Sequence, residues 1–166
     1  MQLSNDDVTF TPPEPFAATR TWTLAGGDAT KTVYVRYLDR AGNVSRSFLD
    51  KIALDTAGPV VAGITATPNP FSPQLGQTTT IRIPVSDNLS GSCSLQIRIL
   101  DAAGGLVKSM ALTVTCPPAG ATTSVVWDGR NAAGVRVPGG TYTIEVAATD
   151  RAGNAGAIAR GTVVAQ

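Results

Sequence analysis

Apolar residues recur at every second position through long stretches of the chain. Ile81, Ile83 and Val85 alternate with Arg82 and Pro84, and Leu95, Ile97 and Ile99 alternate with Gln96 and Arg98. Tyr142, Ile144, Val146 and Ala148 form a third such row. A period of two sends successive side chains to opposite faces of an extended strand. No window places apolar residues at i, i+3, i+4 and i+7 opposite a charged face, so the pattern excludes amphipathic helices. From residue 60 onward it predicts seven strands, at about 60–67, 78–86, 93–100, 106–115, 122–127, 140–149 and 155–164. That is the spacing of a two-sheet sandwich. Residues 1–55 offer five more, at 1–5, 8–11, 19–24, 32–39 and 44–54.

One turn sequence occurs twice. Asp39-Arg40-Ala41-Gly42-Asn43 and Asp150-Arg151-Ala152-Gly153-Asn154 each follow an alternating strand and precede another. Asp accepts from amides two residues on, and Gly and Asn tolerate positive φ, so both read as hairpins. Asp101-Ala102-Ala103-Gly104-Gly105 reads as a third. Two copies of one closing hairpin imply two domains with the same final strand pair. The break between them falls at Leu54-Asp55-Thr56-Ala57-Gly58-Pro59, where Gly and Pro interrupt pairing before a new apolar run begins at Val60. The expected domains are 1–57 and 58–166, joined by a short, semi-rigid linker. A seven-stranded sandwich takes about 100 residues, so the first domain reads as incomplete, with Met1 inside a domain and the sequence a fragment.

Composition supports the all-β class. There are 16 valines and 21 threonines against 2 glutamates and 3 lysines, which are strand formers over helix formers. The net charge of +1 provides no polybasic surface for nucleic acid or lipid, and the apolar stretches fall far below the ~18 residues that span a bilayer, so neither nucleic acid nor membrane insertion is expected. The chain has no histidine, which removes Ser-His-Asp and Cys-His nucleophile chemistry, imidazole general bases and His-ligated zinc. Cys93 and Cys116 are too few for a structural zinc site. Cys93 shares the parity of Leu95, Ile97 and Ile99, and Cys116 that of Leu112 and Val114, so the two meet on one face at the open end of a hairpin. A disulfide is favoured, with two buried thiols as the other reading.

Four motifs occur in an order seen in one family: Thr67-Pro68-Asn69-Pro70-Phe71-Ser72-Pro73, Ile97-Arg98-Ile99-Leu100-Asp101, Val126-Trp127-Asp128-Gly129-Arg130-Asn131, and Pro138-Gly139-Gly140-Thr141-Tyr142. Over about residues 60–165 the chain resembles the Ig-like domain first described in the flagellar hook-capping protein and reused in large exported bacterial proteins. Residues 1–57 look like the C-terminal part of another bacterial Ig-like repeat. The resemblance implies an immunoglobulin-like β-sandwich, two modules in tandem with the first incomplete, from a secreted or cell-surface protein. Two positions depart from the family pattern. Gln74-Leu75-Gly76-Gln77 stands where Asn-Gly-Asp-Gly is common, so that loop has no carboxylate for a cation, and Gly139 stands where a second Pro is common. The related sorting domain of the type IX secretion system shares the Asn-Pro-Phe opening and the Trp-Asp-Gly turn. The closing Asp-Arg-Ala-Gly-Asn hairpin and the strand after it favour the hook-capping type.

Sandwich topology brings the loops at 86–92 and 150–156 to one end. It gathers Asp87, Asn88, Asp150 and Asn154 there as end-loop contact candidates. Calcium takes six to eight oxygens, several of them charged. Two carboxylates and two amides are a thin supply, so the sequence reading assigns no metal ligand and lets each Asp serve its own turn. Trp22 and Trp127 are candidate sugar platforms, but Trp127 ends a strand and is expected to pack over the core rim. No catalytic residue and no cofactor is expected. The reading is a non-catalytic spacer or docking module, with neighbouring domains of the same polypeptide or other surface proteins as partners. A carbohydrate- or protein-binding accessory module of an exported enzyme, or a sorting-related C-terminal domain, is the alternative.

Overall fold

A computed structural model describes residues 1–166, and the chain is all-β, divided into two compact units, Met1–Asp55 and Thr56–Gln166. No helix is long and apolar enough to cross a membrane.

The first unit is one antiparallel sheet of three strands in the order β1-β2-β3. β1 is Gln2–Ser4, β2 Ala29–Arg36 and β3 Phe48–Leu54. Two stretches expected as strands, 8–11 and 19–24, are irregular. Around the first, side-chain oxygens take the amides that a strand would give to a neighbour. The Ser4 hydroxyl accepts from the Asp6 and Asp7 amides, and Asp6 Oδ1 accepts from those of Val8 and Thr9. Asp7 has φ +62°, a left-handed turn residue, so the chain bends before a strand can start. The second stretch is tied through a side chain instead of a ladder. Asn5 donates to the Thr23 carbonyl and accepts from the Trp22 indole at 2.7 Å.

The second unit is a two-layer sandwich. One sheet has the order β11-β10-β7-β8. In the other, β6 is flanked by β4 and β5 on one side and by β9 on the other. The strands are β4 Val60–Val61, β5 Thr65–Thr67, β6 Thr79–Ser86, β7 Ser92–Leu100, β8 Leu106–Thr115, β9 Ala121–Trp127, β10 Gly140–Asp150 and β11 Ala159–Ala165. The single strand expected over 60–67 is split, with Gly63 between the halves at φ +67°. β11 begins at residue 159 where the sequence pattern suggested 155.

The rows of alternating residues form the core. Ile81 and Ile83 of β6, Ile97 and Ile99 of β7, Ile144 and Val146 of β10 and Val163 of β11 are fully buried. Trp127 closes one end of this core, its ring 5.4 Å from those of both Phe71 and Tyr142. Its indole N–H donates to the Arg130 carbonyl, so burying the ring leaves no polar atom unpaired. The Asn-Pro-Phe motif carries the chain from one sheet to the other. β5 pairs with β6, and then the Phe71 amide donates to the Val164 carbonyl and Asn69 Oδ1 accepts from the Val164 amide.

Four connections share one geometry. Asp39, Asp101, Asn131 and Asp150 each donate their amide to the carbonyl of the residue four positions on. The fourth residue of each turn is Gly with φ between +78° and +95°. A side-chain oxygen of the first residue accepts the amide of the fifth in all four. The turn at 131–135 has Asn where the others have Asp, which supplies the same acceptor oxygen.

Candidate functional site

The four end-loop residues lie in the second unit. Asp87 follows β6 and Asp150 is the last residue of β10. Both carboxylates are buried, at 3% and 7% exposure. One oxygen of each lies within 4.8 Å of the other. The strand pairing accounts for this approach. β10 pairs with β7 so that Asp150 faces Cys93, and β7 is reached from Asp87 through a short loop. Asn88 is exposed and Asn154 half-buried.

The two carboxylates are satisfied to different degrees. Asp150 Oδ1 accepts from the Asn154 amide and Oδ2 from the Asn154 side chain, both at 2.8 Å. Burial pushes its carboxyl up, but these bonds, with help from the Gly153 and Ala152 amides, outweigh burial and hold it below the usual carboxylate range. Asp87 Oδ1 accepts from the amides of Leu89 and Ser90, whereas its buried Oδ2 has no hydrogen-bond partner. The ion pairs of the unit join Glu145 to Arg98 and Arg160, and Asp128 to Lys108 and Arg130. Neither Asp87 nor Asp150 belongs to one. An open cavity of about 280 Å³ borders Asp87, with Gly58, Ser86, Asn88 and Pro118 in its wall.

Cys93 and Cys116 are joined as a disulfide, with Cα atoms 5.9 Å apart, and both are buried. Cys93 stands opposite Val114 in the β7–β8 ladder. The bond is therefore diagonal, reaching two residues past the cross-strand partner to the point where the Cys116 amide donates to the Gly91 carbonyl. It closes the open end of the β7–β8 hairpin next to the loop that carries Asp87. With both thiols oxidised and no histidine in the chain, the donors at this end are oxygens only.

The two tryptophans differ in placement. Trp127 has no exposed surface and offers no platform to a sugar. Trp22 is half-buried in the first unit, in the wall of a cavity with Arg20, Leu24, Val33 and Ile52. The Gln74–Gln77 loop closes on itself, the Gln77 side chain accepting from the Ser72 amide at 2.7 Å.

No curated protein matches the chain. Among solved structures it is similar to dimeric latent PorU from Porphyromonas gingivalis, at 24% identity and a TM-score of 0.48. That alignment covers 87% of this chain and 13% of the PorU chain. The chain thus spans about an eighth of the length of that protein. Residues 74–152, from the loop before β6 to the hairpin after β10, match the family model of the FlgD Ig-like domain, and over that range the second unit is similar to this family.

Proposed function

We propose that the chain is a non-catalytic structural module of a secreted or cell-surface multidomain protein, acting as a spacer or as a docking domain for neighbouring domains or other surface proteins. The observation that carries this reading is the placement of the two ends of the second unit. Near its start, Gly58 and Pro59 pack against Ala155 and Gly156, beside the loop after β10, so closely that a Cβ on Gly156 would lie 1.9 Å from the Pro59 carbonyl oxygen. At its finish, Ala165 pairs with Gly140, the first residue of β10. The 11 residues of β10, at about 3.3 Å each, separate these points by roughly 35 Å. A unit whose chain enters at one end and leaves at the other lengthens a polypeptide when inserted into it. The buried disulfide fits an oxidising compartment, and the FlgD-type Ig-like domain is not a catalytic family.

Single-molecule pulling on the full chain tests the mechanical role. The second unit is expected to unfold in one cooperative step. Its contour-length gain should rise on reduction, as the loop of sequence separation 23 is released, by roughly 80 Å at about 3.5 Å per residue. Gradual extension without a force peak overturns the spacer reading. Turnover in a panel of hydrolase substrates overturns the non-catalytic one, and saturable glycan binding at the end loops favours the accessory-module alternative.

A further inference from the structure

We propose that Asp87 and Asp150 hold a calcium ion at the end of the second unit where the chain enters it. Two ionised carboxylates brought this close in a buried site repel each other, and burying either without a counter-charge is costly. Both Asp150 oxygens are engaged, Oδ1 by the Asn154 amide and Oδ2 by the Asn154 side chain. Asp87 uses one oxygen to close its own turn and leaves the other buried without a hydrogen-bond donor. An orphaned carboxylate oxygen is among the most expensive groups to bury, and native structures pair such atoms with a proton donor or a metal. No lysine or arginine reaches either carboxylate. One divalent cation supplies positive charge to these carboxylates and the missing partner for Asp87 Oδ2.

The distance suits the ion. Two oxygens each about 2.4 Å from one calcium can be separated by up to about 4.8 Å, and the two carboxylate oxygens fall within that span. The donor chemistry selects a hard cation, because every available ligand is oxygen and soft sulfur and imidazole donors are absent. Calcium tolerates irregular geometry and accepts loop carbonyls, amide oxygens and water for the rest of its shell. An open cavity borders Asp87 on the side of Gly58, Ser86 and Pro118. Such a site would clamp the loop after β6 to the end of β10 and so stiffen the end through which the chain passes.

Isothermal calorimetry on the full chain, stripped with chelator and titrated with calcium chloride alone, tests the site. The expected result is one ion per chain with Kd about 10⁻⁴ to 10⁻³ M, the range of extracellular modules, and a higher Tm for the second unit in calcium than in chelator. Asp87→Asn keeps the oxygen that serves Leu89 and Ser90 but removes the charge. It is expected to weaken binding by at least about tenfold, with near-UV circular dichroism unchanged, and Asp150→Asn should do the same. Amide NMR of the unmodified chain gives a readout that needs no variant, with calcium-dependent shifts centred on residues 87–90 and 150–154. Absence of both heat and Tm change up to about 10 mM calcium, shifts centred elsewhere, or wild-type affinity in either folded variant overturns the proposal.

Discussion

A Cβ placed on Gly129 would lie 2.3 Å from the Cβ of Pro73. Gly129 also has φ +68°, so the Trp-Asp-Gly turn and the Asn-Pro-Phe-Ser-Pro segment approach through a gap that only glycine leaves open. Phe71 lies at the same junction, 3.3 Å from that would-be Cβ and with its ring 5.4 Å from that of Trp127. Gly129→Ala is therefore expected to destabilise the second unit by about 2 kcal/mol or more, combining a strained backbone with overpacking. Gly134→Ala is the control, since Gly134 has φ +78° but nothing within 4 Å of its would-be Cβ, and about 1 kcal/mol is expected there. Urea unfolding of both variants, followed by fluorescence of the buried Trp127, measures the difference. Equal losses would mean that Pro73 can move aside.

The disulfide closes a loop of sequence separation 23, and the chain-entropy relation gives about 3 kcal/mol for it. Reduction should lower the Tm of the second unit and leave the transition of the first unit in place, because neither cysteine lies in Met1–Asp55. Differential scanning calorimetry with and without reductant reads both transitions.

The strands that carry the core were legible because their signal is local. Ile81, Ile83 and Val85 face inward through their own parity, and no distant residue is needed to say so. The residues that end or interrupt strands were less so. Gly63 splits the stretch at 60–67, and the Ser4 and Asp6 oxygens bend the chain at 6–9, by side-chain to backbone bonds that a hydrophobicity pattern does not record. The turn at 131–135 escaped as a member of the Asp-x-x-Gly set because Asn replaces Asp, although Asn131-Ala132-Ala133-Gly134 carries the same chemistry. At the end loops, the sequence named four residues and allowed no more than a count of ligands. That Asp87 buries an oxygen without a donor depends on how its loop folds against the end of β10, and no spacing along the chain encodes it.

In the first unit, Asp6 is held at a pKa of about 2, below the ordinary 3.8, first by the Ser4 hydroxyl and then by the Thr9 and Val8 amides. Because the folded value lies below the unfolded one, the stabilisation is complete above about pH 4. It is lost as the pH falls through about 2. Ser4→Ala removes the largest of these contributions and should move the Asp6 pKa up toward its ordinary value. Carboxyl-carbon NMR titration of Asp6 measures this, and an unshifted midpoint would assign the depression to the backbone amides alone.

The 101–105 turn separates the role of charge from the role of the acceptor oxygen. Asp101 Oδ1 accepts from the amides of Ala103 and Gly105 at 2.9 and 2.7 Å, and the turn at 131–135 makes the same pair of bonds with an uncharged Asn131. If the oxygen is what the turn needs, Asp101→Asn changes stability by less than about 0.5 kcal/mol. Asp101→Ala leaves both amides without that acceptor and costs about 1 kcal/mol, the loss expected when a side-chain acceptor is removed from exposed amides that water can partly serve. Thermal unfolding of the two variants decides between the readings. A cost for Asn as large as that for Ala would show that the negative charge, and not the oxygen, orders the hairpin.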